Sequence, residues 1–132
     1  MNAETAAFLP STLIVNIQVM DDQHAALFSN LAALKMLCIE RNELPVAESE
    51  TLLKALRFHC ATEEGLAGNA GLDFSAHGQK HKNMLAAITH AVNEVREGRM
   101  DVFSVFRYIE YWFERHIREE DLNLGRNLQQ VS

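Results

Sequence analysis

Two pairs of potential metal ligands, separated by a glycine-rich connection, constrain this chain more than any other stretch. The first pair is His59 and Glu63, and the second is His77 and His81. On a helix, residues four apart lie nearly one above the other, so each pair directs two donors to the same side. The connection is short, which predicts antiparallel neighbouring helices with four donors converging between them. Imidazole with carboxylate suits zinc, iron, copper or nickel rather than calcium or magnesium.

Composition restricts the class of protein. The chain has 132 residues, of which 48% are hydrophobic and 23% charged, as expected for one globular domain spanning 1–132. The formal net charge of −6 argues against nucleic acid or an anionic membrane surface as a partner. No apolar run approaches the ~20 residues that span a bilayer, and no signal peptide is evident. Because two cysteines are too few for a disulfide scaffold, we expect a cytoplasmic protein.

Hydrophobic periodicity predicts four amphipathic helices, at about 21–41, 45–64, 73–97 and 101–122. Residues 1–19 carry no helical period, and their β-branched residues predict an extended N-terminal arm on a hydrophobic surface. Gly65, Gly68 and Gly71 are expected to end the second helix. Residues 122–132 are expected to form a short tail. Short joints between the helices predict an all-α, up-down-up-down antiparallel four-helix bundle.

Histidines concentrate on the inward faces of these helices. Of six in the chain, five fall on apolar stripes: His24, His59, His77, His81 and His116. A lone histidine on such a stripe is more often a satisfied core residue than a ligand. Burying five without partners would cost on the order of 1–3 kcal/mol each, a large burden for a marginally stable domain. A shared metal site removes that cost, whereas His90, off the stripe, is predicted to be exposed.

The acidic end of the fourth helix leaves one ligand open. Glu119, Glu120 and Asp121 all follow His116. Ideal helical geometry puts Glu120 about 40° from His116 and Asp121 about 140° away, so periodicity favours Glu120, or Glu119. A charge run of this kind is more often a solvated helix end. Asp121 would face inward only if the helix widened into a π-bulge.

Together these residues form an ordered set that resembles the hemerythrin family, in particular the single-domain bacterial hemerythrins. The matching segments are Val15–His24, His59-x-x-x-Glu63-Glu64, His77-x-x-x-His81 and Trp112-Phe-Glu-Arg-His116-Ile117-x-x-x-Asp121. They follow the family's order at near-family spacings and cover about residues 13 to 121. Each segment alone is a weak signal, but four in order, one per helix, are specific.

The resemblance implies a set of seven metal ligands: His24, His59, Glu63, His77, His81, His116 and Asp121. It therefore selects Asp121 over Glu120. It also implies two iron ions joined by an oxo or hydroxo bridge and a role in O2 transport, storage or sensing. Two six-coordinate irons offer about twelve positions. If Glu63 and Asp121 each bridge both ions, the protein and the bridging oxygen fill all but one position.

Two other functions compete with reversible O2 binding. A di-iron enzyme, such as a peroxidase or a nitric-oxide-handling protein, would use the same ligands. A metal-free or zinc-holding bundle could serve in protein interaction, although no protein partner is indicated. The histidine-rich set differs from carboxylate-rich di-iron bundles, whose glutamates support oxidation chemistry. We therefore expect a binding protein rather than an enzyme.

Several positions depart from the family pattern. Cys60 stands where the family has Phe, Ala67 where it commonly has Met, and Gly71-Leu72-Asp73 replaces a Tyr-Pro region. Smaller residues there predict a more open O2 pocket and faster autoxidation. Cys60 itself is either a small buried hydrophobe or a sulfur that tunes the site and becomes oxidised. The apolar pocket is expected to include Leu27, Phe28, Leu56, Ile109 and Phe113.

Overall fold

In the computed structural model, which describes residues 9–131, the chain is all-α. A 3-10 turn (Ser11–Leu13) precedes α1 (Gln18–Arg41), α2 (Val46–Asn69), α3 (Ser75–Arg96) and α4 (Val102–His116), and a π-helical turn (Ile117–Asp121) joins α4 to α5 (Leu122–Val131). The four long helices form a ring in which each packs on its chain neighbour and α1 packs on α4. The predicted four-helix bundle is confirmed. No helix of this range combines the length and apolarity needed to cross a membrane.

The interior of the bundle consists of two apolar cores. The larger core includes Leu27 of α1 and Cys60 of α2, and it fills most of the space between the four long helices. The smaller core includes Met20 of α1 and Ala67 of α2, and it lies under the N-terminal segment and α5. On α1, His24 lies next to Ala25 of the smaller core and close to Leu27 of the larger one. On α2, Glu63 lies between Cys60 of the larger core and Ala67 of the smaller one. The polar residues thus form a layer between two apolar blocks.

The N-terminal segment differs from the predicted extended arm of residues 1–19. Residues 1–8 lie outside the described range, and the chain from Leu9 packs into the smaller core through buried Leu9, Leu13 and Val15. Helix α1 begins at Gln18, three residues earlier than expected. The backbone N–H groups of Val15 and Asn16 donate to the Asp21 carboxylate at 2.8 and 3.1 Å. These bonds turn the chain into α1.

Residues 122–132 were expected to form a short tail. This prediction is wrong, because residues 122–131 form the helix α5. Leu124 and Leu128 are buried in the smaller core together with the N-terminal segment. Gly125 lies on the same face, where a Cβ atom would sit 2.7 Å from the carbonyl oxygen of Val15. The segment and α5 therefore close the end of the bundle as one packed unit.

The predicted end of α2 at about residue 64 is also wrong. The helix runs through Gly65 and Gly68 to Asn69, because buried Ala67 anchors the extra turn in the smaller core. Only Gly71, with φ +72°, lies in the turn that follows. Helix α4 ends at His116, before the predicted end at about 122, because the π-helical turn begins there. The remaining boundaries agree within two residues, with Pro45 preceding α2 rather than opening it.

We predict that Gly125→Ala lowers the free energy of unfolding by about 1–2 kcal/mol, because overpacking against the Val15 backbone outweighs the gain in helix propensity. Urea denaturation measures the change. Gly65→Ala is the matched control: this helical glycine is exposed and a Cβ there meets nothing within 4 Å. It should raise stability by about 0.5–1 kcal/mol. A Gly125→Ala protein as stable as the Gly65→Ala protein would contradict the close packing of α5.

Candidate metal centre

Donor side chains from all four long helices meet at one end of the bundle, where α1 and α3 begin and α2 and α4 end. All seven side chains selected from the sequence converge there: His24, His59, Glu63, His77, His81, His116 and Asp121. Six are buried, and the side chain of His77 is 12% exposed. The side chain of His90, by contrast, is 74% exposed. Short loops make neighbouring helices antiparallel, which brings these positions to the same level.

The first group of donors contains two histidines. His24 Nε2 lies 2.8 Å from Asp121 Oδ2 and 3.4 Å from Glu63 Oε2. His59 Nε2 lies 2.6 Å from the same Glu63 oxygen and 4.0 Å from Asp121 Oδ2. One atom from each of these four residues lies within 4.8 Å of the other three. The group has the size and chemistry of a metal site.

The second group contains three histidines around the other carboxylate oxygens. His77 Nε2 lies 3.2 Å from Glu63 Oε1 and 3.0 Å from Asp121 Oδ1. His81 Nε2 lies 2.9 Å from Glu63 Oε1. His116 Nε2 lies 3.1 Å from Asp121 Oδ1 and 3.8 Å from Glu63 Oε1. Each carboxylate therefore presents one oxygen to each group, as a bridge between two metal ions requires.

The π-helical turn explains why Asp121 is the carboxylate of the centre. Its wider winding rotates the fifth residue after His116 onto the inward face. Asp121 is fully buried, while Glu119 is exposed and ion-paired with Arg115 at 3.0 Å. The choice of Glu120 or Glu119 from helical periodicity is therefore wrong. The expectation that Asp121 faces inward through a π-bulge is confirmed.

The donor atoms fit a metal better than they fit one another. The Nε2 atoms of His77 and His116 face each other at 3.2 Å. His59 Nε2 and both oxygens of Asp121 are buried without a hydrogen bond, although they lie close to opposite charges. Buried polar atoms normally have a hydrogen-bond partner. This buried cluster of imidazoles and carboxylates can hold a metal ion.

Two supporting residues were missed in the sequence. His59 Nδ1–H donates to Gln23 Oε1 at 2.7 Å, which leaves Nε2 free to face the carboxylates. The Gln23 amide is fixed in turn by donating to Thr62 Oγ1 at 3.2 Å. Phe74 stacks on His77, with ring centroids 4.4 Å apart. The position of Gln23 next to His24, a predicted ligand, could have indicated its supporting role. Phe74 could not be found in this way, because it lies in a connection without helical periodicity.

A small apolar cavity lies beside the two-histidine group. Its walls include His24, His59 and His116, with Leu27, Phe28, Leu56, Met84, Phe113, Ile117 and Asp121. About 10 Å³ is open to the centre of a water-sized sphere, which is near the minimum for one water molecule. Four of the five expected pocket residues line it. Ile109 is instead buried in the larger core.

Cys60 does not line this cavity. It lies with Arg57 and His81 in a surface groove between α2 and α3. Ala67 is fully buried in the smaller core. The expectation that these small residues enlarge the apolar pocket is therefore wrong, because neither Cys60 nor Ala67 lines it. Burial, followed by the charges of Glu63 and Asp121, raises the pKa of Cys60 well above its ordinary value, so its thiol is protonated at neutral pH.

Without metal, the carboxylates raise the pKa of four of the five histidines, whereas burial lowers the pKa of His81. Burial acts to lower the pKa of His59, but close contacts with Asp121 and Glu63 outweigh it and raise the pKa to about 9. The same balance raises the pKa of His116 to about 10. Burial acts to raise the pKa of Glu63 and Asp121, yet the surrounding histidines hold both well below the usual range. Metal binding must therefore displace protons.

Comparison of the chain with protein-family models, with curated proteins and with solved structures finds no match.

We predict that the metal-free protein loses stability as the pH rises from about 6.5 to 10. A histidine with a raised folded pKa stabilises fully below its ordinary value of 6.5, and this stabilisation disappears through the folded values of about 9 for His59 and about 10 for His116. Glu63 and Asp121, whose pKa values are lowered, lose their contribution only in strong acid. Urea denaturation across this range measures the change.

Two variants provide the control for this pH profile. His59→Gln removes one of the four histidines whose pKa is raised and should flatten the profile. His90→Gln changes an exposed histidine outside the centre and should leave it unchanged. A stability that rises between pH 6.5 and 10 would contradict the assignment of protons to the buried histidines.

Proposed function

We propose that this protein binds O2 reversibly at a pair of iron ions held by the buried centre. One observation carries the proposal: the donors divide unequally, and the apolar cavity lies beside the smaller group. The group with His24 and His59 offers four protein atoms, two of them carboxylate oxygens. The group with three histidines offers five.

The number of donors predicts one free coordination position, on one of the two ions. Iron in a site of this kind takes about six ligands. A bridging oxo or hydroxo group would add one ligand to each ion. The ion beside His77, His81 and His116 would then be complete, and the ion beside His24 and His59 would retain a position for a ligand. The cavity is lined by those same two histidines and by only one histidine of the other group, His116.

The residues of this chain have separate tasks in the proposed function. Glu63 and Asp121, which belong to both groups of donors, would hold both ions, and Gln23 orients His59. Leu27 and Leu56 line the cavity and limit the entry of water. Iron, when bound, supplies the reversible electron transfer to O2 on which the binding depends.

Binding is favoured over turnover by the lining of the cavity. Its titratable residues within the described chain are His24, His59, His116 and Asp121, all of which belong to the donor set. No additional acid or base is therefore placed there to deliver protons to a substrate. The small volume suits a diatomic molecule better than an organic substrate. The resemblance to hemerythrins in the order and spacing of the ligands supports the same function.

The test is anaerobic reconstitution with Fe²⁺, followed by metal analysis and absorption spectra before O2, with O2 and after its removal. We expect two irons per chain and a new visible band that disappears when O2 is removed. His24→Ala should abolish the band, because it removes a ligand from the ion that retains the free position. His90→Ala should retain it. Sustained turnover of peroxide or nitric oxide, without a reversible band, would instead favour an enzyme.

A second prediction concerns the apolar wall. Leu56→Thr should leave the iron content at two per chain but accelerate autoxidation by roughly tenfold, because a hydroxyl group beside the centre admits water. Leu52→Thr is the matched control, since Leu52 is equally buried on α2 but does not line the cavity. The decay of the O2-dependent band gives the rate. Equal rates in the two variants would show that exclusion of water at the cavity has no role.

A further inference from the structure

Four openings in the described chain reach the histidines of the centre, and they differ in size and charge. One of them, beside His116, balances two cationic against two acidic residues. The apolar cavity has room for about one water molecule. The groove lined by Cys60 and His81 is flanked by Arg57 and Lys82, with Glu64 as its acidic residue. The fourth opening, which we call the acidic groove, lies between the start of α3 and the π-helical turn. Each is a possible path for a metal ion that has to reach a buried site.

The acidic groove suits a hydrated cation best. Its charged residues are Asp73, Glu119 and Glu120 against one lysine, Lys80. About 200 Å³ of the groove is open to the centre of a water-sized sphere, many times the roughly 10–15 Å³ that one water molecule requires. A cleft lined mainly by one sign of charge concentrates ions of the opposite sign and raises their rate of association. The Cys60 groove has the opposite balance of charge, and the apolar cavity is too small for a hydrated ion.

The acidic groove also ends at the most accessible ligand. His77 forms part of its wall, and its side chain is 12% exposed, compared with 6% for His81 in the Cys60 groove. An ion arriving along the acidic groove therefore meets an imidazole that already belongs to the centre.

Within the acidic groove, Glu120 is the carboxylate that remains free. Asp73 accepts hydrogen bonds from the backbone N–H and the hydroxyl of Ser75, at 3.0 and 2.8 Å. Glu119 is engaged by Arg115. Glu120 has no ion pair or hydrogen bond with the residues that the structure describes, and it is only partly exposed. It also lines a neighbouring groove that reaches His116, so it lies between two openings to the centre.

We propose that Glu120 is the entry residue for iron: it captures Fe²⁺ at the mouth of the acidic groove and delivers it toward His77 and His116. The π-helical turn that places Asp121 inside leaves its neighbour Glu120 at the surface of the same path. The inference rests on the metal centre of the proposed function, but not on O2 binding. Glu120 is then needed for the rate of loading and not for the final complex.

The experiment mixes metal-free protein with Fe²⁺ under anaerobic conditions in a stopped-flow instrument. Trp112, the only tryptophan in the chain, lines the groove that contains His116 and Glu120, so its fluorescence reports loading. At low salt, Glu120→Gln should slow loading by roughly 3- to 10-fold, and the effect should shrink at high salt, where screening weakens attraction. Lys80→Gln should accelerate loading, because it removes the one cation of the groove.

Two further measurements complete the test. Glu64→Gln removes the corresponding carboxylate from the Cys60 groove and should load at the wild-type rate. All variants should reach two irons per chain by metal analysis. Wild-type kinetics in Glu120→Gln, or a final content below two, would overturn the entry role. A wild-type protein that binds two irons without a reversible O2 band refutes only the proposed function, and one that binds no iron refutes both.

Discussion

Two carboxylates buried inside a helical bundle are the constraint on which this structure depends. Glu63 and Asp121 are fully inaccessible to solvent, and an isolated buried carboxylate is strongly unfavourable. Five imidazoles surround them. The four whose pKa is raised, those of His24, His59, His77 and His116, supply compensating charge when no metal is bound. A metal pair would compensate the same carboxylates with the histidines deprotonated. The polar layer is therefore stable only as a complete set, so the loss of one member leaves its partners buried and unmatched.

The packing on both sides of this layer follows from the same requirement. The larger core fixes the four long helices at one level, and the smaller core closes the end of the bundle with the N-terminal segment and α5. Without that closure, water would reach the carboxylates from the end of the bundle and weaken every interaction in the layer. The close approach of Gly125 to Val15 shows how tightly this end is built. The helix after the π-helical turn is thus part of the site's support.

Much of the fold followed from periodicity because burial in a bundle repeats with the helix. The histidines expected on inward apolar stripes are a case in point, since His24, His59, His81 and His116 are buried. Helical periodicity did not predict that Asp121 faces inward, because the π-helical turn interrupts the regular repeat. Only the resemblance to the hemerythrins selected this residue. The extension of α2 past Gly65 and the helical α5 were missed because contacts with the smaller core decide them. Phe74 was missed for a similar reason, since its stacking on His77 is a tertiary contact.

The unequal division of the donors is the central claim, and anomalous diffraction at the iron absorption edge tests it most directly in crystals of the reconstituted protein. We expect two iron peaks per chain, both within bonding distance of Glu63 and Asp121. One should be bound by His24 and His59, and the other by His77, His81 and His116. A single peak, or two peaks that do not share the carboxylates, would contradict it.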